Sequence, residues 1–203
     1  MDIYWYRGTD AAARSGENLR RSLIRYMRRK RGKTICDDIC VKRGPSGKPF
    51  LSERENVEFS VTHTADWWIC AVGDAEFGAV GIDAEKRIRR VRKPISLGRR
   101  FFSAEEAELL ERLPAEKAER LFLQIWVRKE AFLKYTGAGL AGGMSSFSTV
   151  SAGADGEIYF RKKITAEDTT VEFLTADISE DLYVVLCCRA GMKDREREIW
   201  KLT

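Results

Sequence analysis

The sequence predicts an α+β fold, and three observations carry that prediction. Apolar residues recur at helical spacing twice, at Leu19, Leu23, Ile24 and Met27 and again from about residue 115 to 136. Runs rich in β-branched and aromatic residues, separated by short turns, fill much of 57–85 and 146–188. The order is helix then strands in the first half and helices then strands in the second. That order predicts two α+β lobes, residues 1–97 and 98–203, joined near 92–100. A chain of 203 residues is long enough for one sizeable domain or for two lobes of about 100 residues sharing an interface.

Taken in order, residues 2–7 read as a short strand and 17–31 as an amphipathic basic helix. GPSGKP (44–49) reads as a loop, because Gly and Pro punctuate it. VEFSVTH (57–63), WWICAVG (67–73) and FGAVGIDAE (77–85) read as a meander of three strands, with Trp67 and Trp68 as core or platform residues. Ser103 followed three residues later by Glu106 has the form of a capping box and opens a helix over 104–113, with Phe101 and Phe102 as apolar anchors just before it. Pro114 divides that helix from a second one over 115–136, which stops before TGAGL. Strands over 146–150, 157–163, 169–178 and 182–188 finish the chain.

With 44% hydrophobic and 33% charged residues, the chain has material for a core and no stretch of disordered composition. No apolar run approaches about 18 residues, and MDIYWYRGTD has neither the basic nor the apolar part of a signal segment. A cytoplasmic protein with no membrane partner is the expectation. The five cysteines, at 36, 40, 70, 187 and 188, fit neither a disulfide framework nor paired zinc ligands, and are expected to be reduced packing residues. His63 is the one histidine, which excludes His-rich metal sites and leaves metal chemistry to carboxylates, hence to a hard ion such as Mg²⁺ or Mn²⁺.

The net charge of +5 is concentrated: residues 20–33 and 86–100 each hold eight Lys or Arg and no acid. Such clusters attract a phosphorylated small molecule, nucleic acid or an acidic protein surface. A solvated helix face accounts for much of the first cluster.

In GIDAE (81–85), strand alternation puts Gly81, Asp83 and Glu85 on one face and Ile82 and Ala84 on the other. The two acids then stand about 6.5–7 Å apart, near enough to share one ion and costly without a compensating charge. Two readings stay open: a divalent cation, or ion pairs with Lys86, Arg87 or Arg89. On the long second helix Trp126, Glu130 and Lys134 fall at i, i+4 and i+8, one stripe. An isolated Glu130–Lys134 pair is a plain helix ion pair; beside Asp83 and Glu85 it becomes a third carboxylate and an ammonium at an octahedral Mg²⁺ site with room for phosphate oxygens. Lys48 in GKP and His63 beside Thr62 and Thr64 are further groups able to meet a phosphate.

The motifs GKP (47–49), FSVTHT (59–64), GIDAE (81–85), FFSAEE (101–106) and WVRKEAFLKYTGAGL (126–140), in that order, resemble those of the Sfp-type 4′-phosphopantetheinyl transferases. The resemblance runs from about 44 to 150, and its strength lies in the order and spacing of motifs that are weak singly. It implies a pseudo-dimer of two similar α+β lobes, with coenzyme A held in the cleft between them as substrate. The implied reaction moves the 4′-phosphopantetheine arm of coenzyme A to a serine of an acyl or peptidyl carrier protein and releases adenosine 3′,5′-bisphosphate. By similarity Asp83, Glu85 and Glu130 take the metal positions, Lys134 contacts the pyrophosphate, Lys48 and His63 bind coenzyme A phosphates, and Glu130 with Lys134 is catalytic. A monomer is implied, with no nucleic acid partner.

The chain departs from the family at Ser60, Thr62 and Thr64, where Asn and two serines are common, and at Ala84, where a larger apolar residue is usual. Two rival readings fit the charge: a Mg²⁺-dependent nuclease, marked by salt-sensitive DNA cleavage, and a non-catalytic phosphate- or nucleic-acid-binding module. Neither accounts for FFSAEE and WVRKEAFLKYTGAGL in that order.

Overall fold

The computed structural model describes residues 1–32, 39–45, 47–52, 56–139, 143–166, 169–191 and 197–203. Lys33, Cys36, Ser46 and Leu140, which figure in the sequence readings above, lie outside the described residues. The first half runs β1 (Asp2–Arg7), α1 (Ser15–Arg31), β2 (Val41–Arg43), β3 (Pro49–Leu51), β4 (Val57–Thr64), β5 (Trp67–Asp74) and β6 (Val80–Lys86). The second runs α2 (Pro94–Phe101), α3 (Ala104–Glu111), α4 (Ala115–Thr136), β7 (Val150–Ala152), β8 (Ile158–Phe160), β9 (Lys163–Ala166), β10 (Thr169–Thr175), β11 (Leu182–Arg189) and β12 (Glu198–Lys201). The mixed α+β class expected from the sequence is what forms.

Two four-stranded sheets carry the fold, in the orders β12-β1-β5-β4 and β6-β11-β10-β9. Three apolar layers separate them from each other and from the helices. Ile3, Ile69 and Ala71 of the first sheet meet Ile82, Val184 and Leu186 of the second in one core. On the outer side of the first sheet, Leu19, Leu23, Tyr26 and Met27 of α1 pack on Tyr4, Phe59 and Trp68. On the outer side of the second, Val127, Ala131 and Phe132 of α4 pack on Val171, Phe173 and Val185. Of the positions that marked 19–27, Leu19, Leu23 and Met27 form the buried face, while Ile24 is half-buried outside it.

The meander expected over 57–85 is only half formed. β4 and β5 pair antiparallel, but β6 pairs antiparallel with β11 and forms an edge of the second sheet. A short 3₁₀ turn at Ala75–Phe77 and Gly78, whose φ of +85° suits glycine, redirect the chain between β5 and β6. The edges β4 and β6 remain joined, since the Ile82 amide donates to Ser60 Oγ at 3.0 Å. Glycine is also needed at position 81: a Cβ there would collide with the Ala131 carbonyl oxygen and the Tyr135 amide, so its absence lets α4 lie on β6.

Other boundaries moved for local reasons. The Ser103–Glu106 capping box forms as expected: the Glu106 amide donates to Ser103 Oγ at 3.3 Å and the Ser103 amide to Glu106 Oε2 at 3.1 Å. α2, in a stretch read as a connection, is a two-turn helix opened by Pro94. The strand expected at 146–150 starts at Val150, after a 3₁₀ turn at Met144–Ser146, and the run 157–163 divides between β8 and β9. β2 pairs antiparallel with β3 as a small hairpin, and β12 joins the first sheet parallel to β1. Cys70, Cys187 and Cys188 are buried and Cys40 is exposed, all four as free thiols. Among the described residues no helix is long and apolar enough to cross a membrane.

Candidate active site

The alternation of β6 is as the sequence predicts, and it divides the strand's work. Val80, Ile82 and Ala84 enter the core between the sheets, while Asp83 and Glu85 share the face on which Gly81 receives α4. One helical turn separates Glu130 from Lys134 on α4, and the Lys134 ammonium crosses to β6. Its Nζ donates to Asp83 Oδ1 at 2.8 Å and to the Ile82 carbonyl at 3.2 Å. Thr62 Oγ1, from β4, donates to the same Asp83 oxygen at 2.9 Å. Glu85 accepts from Thr64 Oγ1 at 3.4 Å and pairs with Arg89 one turn further along the chain.

These acids feel one another. Burial raises the Glu130 carboxyl above its usual range, the negative charge of Asp83 and of Glu85 raises it further, and Lys134 opposes them. Glu85 is likewise raised, by burial first and by Asp83, with Arg89, Thr64 and Lys134 pulling against the rise. Three carboxylates held in mutual repulsion within reach of one ammonium are a set that a further cation would relieve.

Glu130 and Lys134 line a cleft of about 390 Å³ together with Lys48, Phe59, Ser60 and Leu133. Lys48 reaches it from the GPSGKP connection, its Nζ donating to the Tyr135 carbonyl at 3.1 Å, and burial lowers its ammonium below the usual lysine range. His63, exposed near the end of β4, lines a neighbouring cavity of about 540 Å³ with Thr64, Glu85 and Arg89. The structure therefore brings Lys48, Glu130 and Lys134 together, ties Asp83 to Lys134, and places Glu85 with His63 next door. Trp126, on the same sequence stripe as Glu130, packs instead among Phe101, Phe102 and Phe122.

The donor set suits a hard cation, being three carboxylates with hydroxyls behind them. Their present hydrogen bonds run to Lys134, Thr62, Thr64 and Arg89, and among the described residues no three His, Cys, Asp or Glu close into a group able to hold an ion. Of the ion pairs expected for the paired acids, Arg89 takes Glu85, while Lys86 pairs instead with Asp66.

Sequence reasoning gave Glu106 only a capping role and passed over Lys129. The two are fully buried and paired at 2.7 Å, and Lys129 Nζ also donates to the Met144 and Phe147 carbonyls, each at 2.5 Å. Glu106 Oε1 accepts from the Thr149 amide at 2.7 Å and from Thr149 Oγ1 at 2.9 Å. One acid thereby ties α3, α4 and the segment 144–149 into one block beside the catalytic candidate Glu130. The available signal was a lysine among the apolar positions of a buried helix, where only a paired ammonium is stable.

A family model for the 4′-phosphopantetheinyl transferase superfamily matches residues 79–188, more than half of the chain. The chain is 38% identical over 141 residues to the 4′-phosphopantetheinyl transferase psf-1 of Bacillus pumilus, covering 68% of this chain and 57% of that protein. It is 36% identical over 124 residues to the 4′-phosphopantetheinyl transferase Sfp of Bacillus subtilis, covering 60% and 51%. To the 4′-phosphopantetheinyl transferase HetI of a Nostoc species it is 39% identical over 98 residues, covering 47% and 40%. The chain spans about half the length of the curated relatives it matches. The matched region contains β6, α4 and every acid of the site just described, and on that match the chain belongs to the 4′-phosphopantetheinyl transferase superfamily.

Proposed function

We propose that the chain transfers the 4′-phosphopantetheine group of coenzyme A to a serine hydroxyl of an apo acyl or peptidyl carrier protein, releasing adenosine 3′,5′-bisphosphate. The observation that carries this is the cleft shared by Lys48, Glu130 and Lys134, with Asp83 bound to Lys134 on its β6 side. An anionic pyrophosphate fits two ammonium groups placed beside a carboxylate with raised proton affinity. The cleft is lined by residues of β4 on one side and of α4 on the other, which supports a site between two lobes, 1–97 and 98–203, arranged as a pseudo-dimer. Such lobes trade edge strands, since β6 belongs to the second sheet and β12 to the first.

Asp83, Glu85 and Glu130 are the residues that would hold Mg²⁺ or Mn²⁺. When bound, such an ion supplies positive charge to the pyrophosphate oxygens as the leaving phosphate gains charge. Lys134 supplies a second positive charge at the same place, fixed by its bonds to Asp83 and the Ile82 carbonyl and so needing little reorganisation. Lys48 lines the first cavity and His63 the second, and both hold coenzyme A phosphates. The serine hydroxyl is a weak nucleophile at neutral pH and must lose its proton as it attacks the phosphorus. Glu130, on the wall of the cleft with Lys134, accepts that proton. The new serine O–P bond forms as the pyrophosphate P–O bond breaks, and adenosine 3′,5′-bisphosphate leaves with the electron pair.

The basic residues of 20–33 and 86–100 match an acidic carrier surface and raise the association rate more than the final affinity. A monomer in the cytoplasm completes the proposal. The test is transfer by Asp83→Ala and Glu130→Ala, each checked for an unchanged circular dichroism spectrum. Both are expected to lose transfer, and full activity in either refutes the role given to that acid.

A further inference from the structure

Arg128, on α4, holds a positive charge for which the reaction has no use. It lies roughly 200° around the helix from Glu130, two residues on, and so faces away from the cleft. The residue is half-buried; its Nε is shut off from solvent and donates to nothing, while Nη1 donates to the Gln124 carbonyl at 3.1 Å. The guanidinium stacks on the Phe160 ring, 4.0 Å from its centre. No described carboxylate pairs with it, and burial alone brings its pKa down to about 10. A buried guanidinium is ordinarily paired, because desolvating an uncompensated charge is costly. Phe160 offsets part of that cost through its ring face and leaves the in-plane N–H groups without an anion.

Arg128 lines a cavity of about 200 Å³ with Arg87, Gln124, Thr175, Asp177 and Tyr183. Arg87 is held in a matching way: its Nε donates to the Leu182 carbonyl at 3.0 Å and its guanidinium lies over Tyr183 at 4.6 Å. Two guanidinium groups, each fixed by a backbone carbonyl and an aromatic ring, thus line one small space. None of its lining residues belongs to the cleft of Lys48, Glu130 and Lys134. Asp177, the acid on the lining, is exposed to solvent, where its charge is screened.

We propose that this cavity is a second anion site, taking a phosphate or carboxylate group between Arg87 and Arg128. Planar, pre-positioned guanidinium groups suit such an oxyanion through paired N–H donors. The proposed site uses none of the residues given to the metal, to coenzyme A or to catalysis, and shares only Arg87 with the basic stretch 86–100 given to carrier docking.

The test compares thermal unfolding of the parent chain and of Arg128→Met in sodium phosphate, sodium acetate and sodium chloride at matched ionic strength. Met keeps the apolar stem and removes the charge, so the variant in chloride is expected to unfold no lower than the parent. Phosphate or acetate should raise the parent's midpoint, saturably and beyond chloride, and Arg128→Met should lose at least half of that rise. A larger effect from phosphate identifies a phosphoryl group, and an equal effect from acetate a carboxylate. Because Lys48 and Lys134 also attract phosphate, Lys48→Met serves as the control and should keep the part of the shift that depends on Arg128. Exposed Arg87→Met, which leaves the buried side of α4 untouched, should show the same loss. An undiminished phosphate shift in both arginine variants, or no shift beyond chloride in the parent, overturns the site.

Discussion

Replacing Glu106 by Gln tests the buried block beside the site. In the native chain this carboxylate accepts from the Ser103 amide and hydroxyl through Oε2 and from the Thr149 amide and hydroxyl through Oε1, and it pairs with Lys129. A glutamine must point its NH₂ at one of these two sets of donors, and it leaves Lys129 without an anion. Breaking a fully buried pair from one side costs about 3–5 kcal/mol, a large part of the roughly 5–15 kcal/mol by which a domain is stable. At a urea dependence of about 2 kcal/mol per molar, the unfolding midpoint should fall by roughly 2 M. Lys129, pulled down by burial and held up by Glu106, then loses the partner that favours its charged form. The assay is urea unfolding followed by tryptophan fluorescence. The double variant Glu106→Leu with Lys129→Met removes both charges and should be more stable than Glu106→Leu alone. A midpoint change below about 0.5 M for Glu106→Gln, or a double variant less stable than the single one, refutes the reasoning.

Three further outcomes follow from the geometry. Gly81→Ala forces a methyl group into the Ala131 carbonyl and the Tyr135 amide, backbone atoms that cannot yield; thermal unfolding should show a loss of at least about 1–3 kcal/mol. Lys134→Met removes the ammonium bound to Asp83 and is expected to lower kcat/KM for transfer by about 10²–10³-fold, the usual effect of one charge-stabilising donor, and a change under about tenfold would exclude Lys134 from the transition state. Asp66 meets Lys86 Nζ at 2.6 Å and Arg7 Nε at 2.8 Å, and these cations hold its carboxyl below the usual range. Its stabilising effect is therefore present above an unfolded pKa of about 3.9 and fades as pH falls below that value, so parent and Asp66→Asn should differ in stability at pH 7 and converge in acid.

The site was more legible than the architecture around it, for a physical reason. Strand alternation is local, so GIDAE alone told which side of β6 would carry Asp83 and Glu85. Helical spacing likewise put Glu130 one turn from Lys134, and the Ser103–Glu106 cap needed only three residues of sequence. Strand pairing is non-local. β6 follows β5 closely in the chain yet pairs with β11, whose Val185 lies opposite Asp83, and nothing in residues 77–85 states that partner. The parallel pairing of β12 with β1 was hidden in the same way, since it joins the two ends of the described chain. α2 was hidden by its brevity and by the basic residues around Pro94. Thr62 and Thr64, which flank His63 in the sequence, turn to Asp83 and Glu85, because β4 and β6 meet edge to edge. Lys129 and Arg128 adjoin in sequence, and only the structure separates a lysine with a buried carboxylate from an arginine with none.

Group transfer at the cleft of Lys48, Glu130 and Lys134 can be read by intact-protein mass spectrometry. An apo carrier protein is incubated with coenzyme A, with and without this chain and with and without Mg²⁺. The account predicts a gain of about 340 Da on the carrier, the mass of one phosphopantetheine arm, that requires the chain, requires Mg²⁺ and disappears with Glu130→Ala. No gain on acyl or peptidyl carriers, or a gain that survives the loss of Glu130, contradicts it.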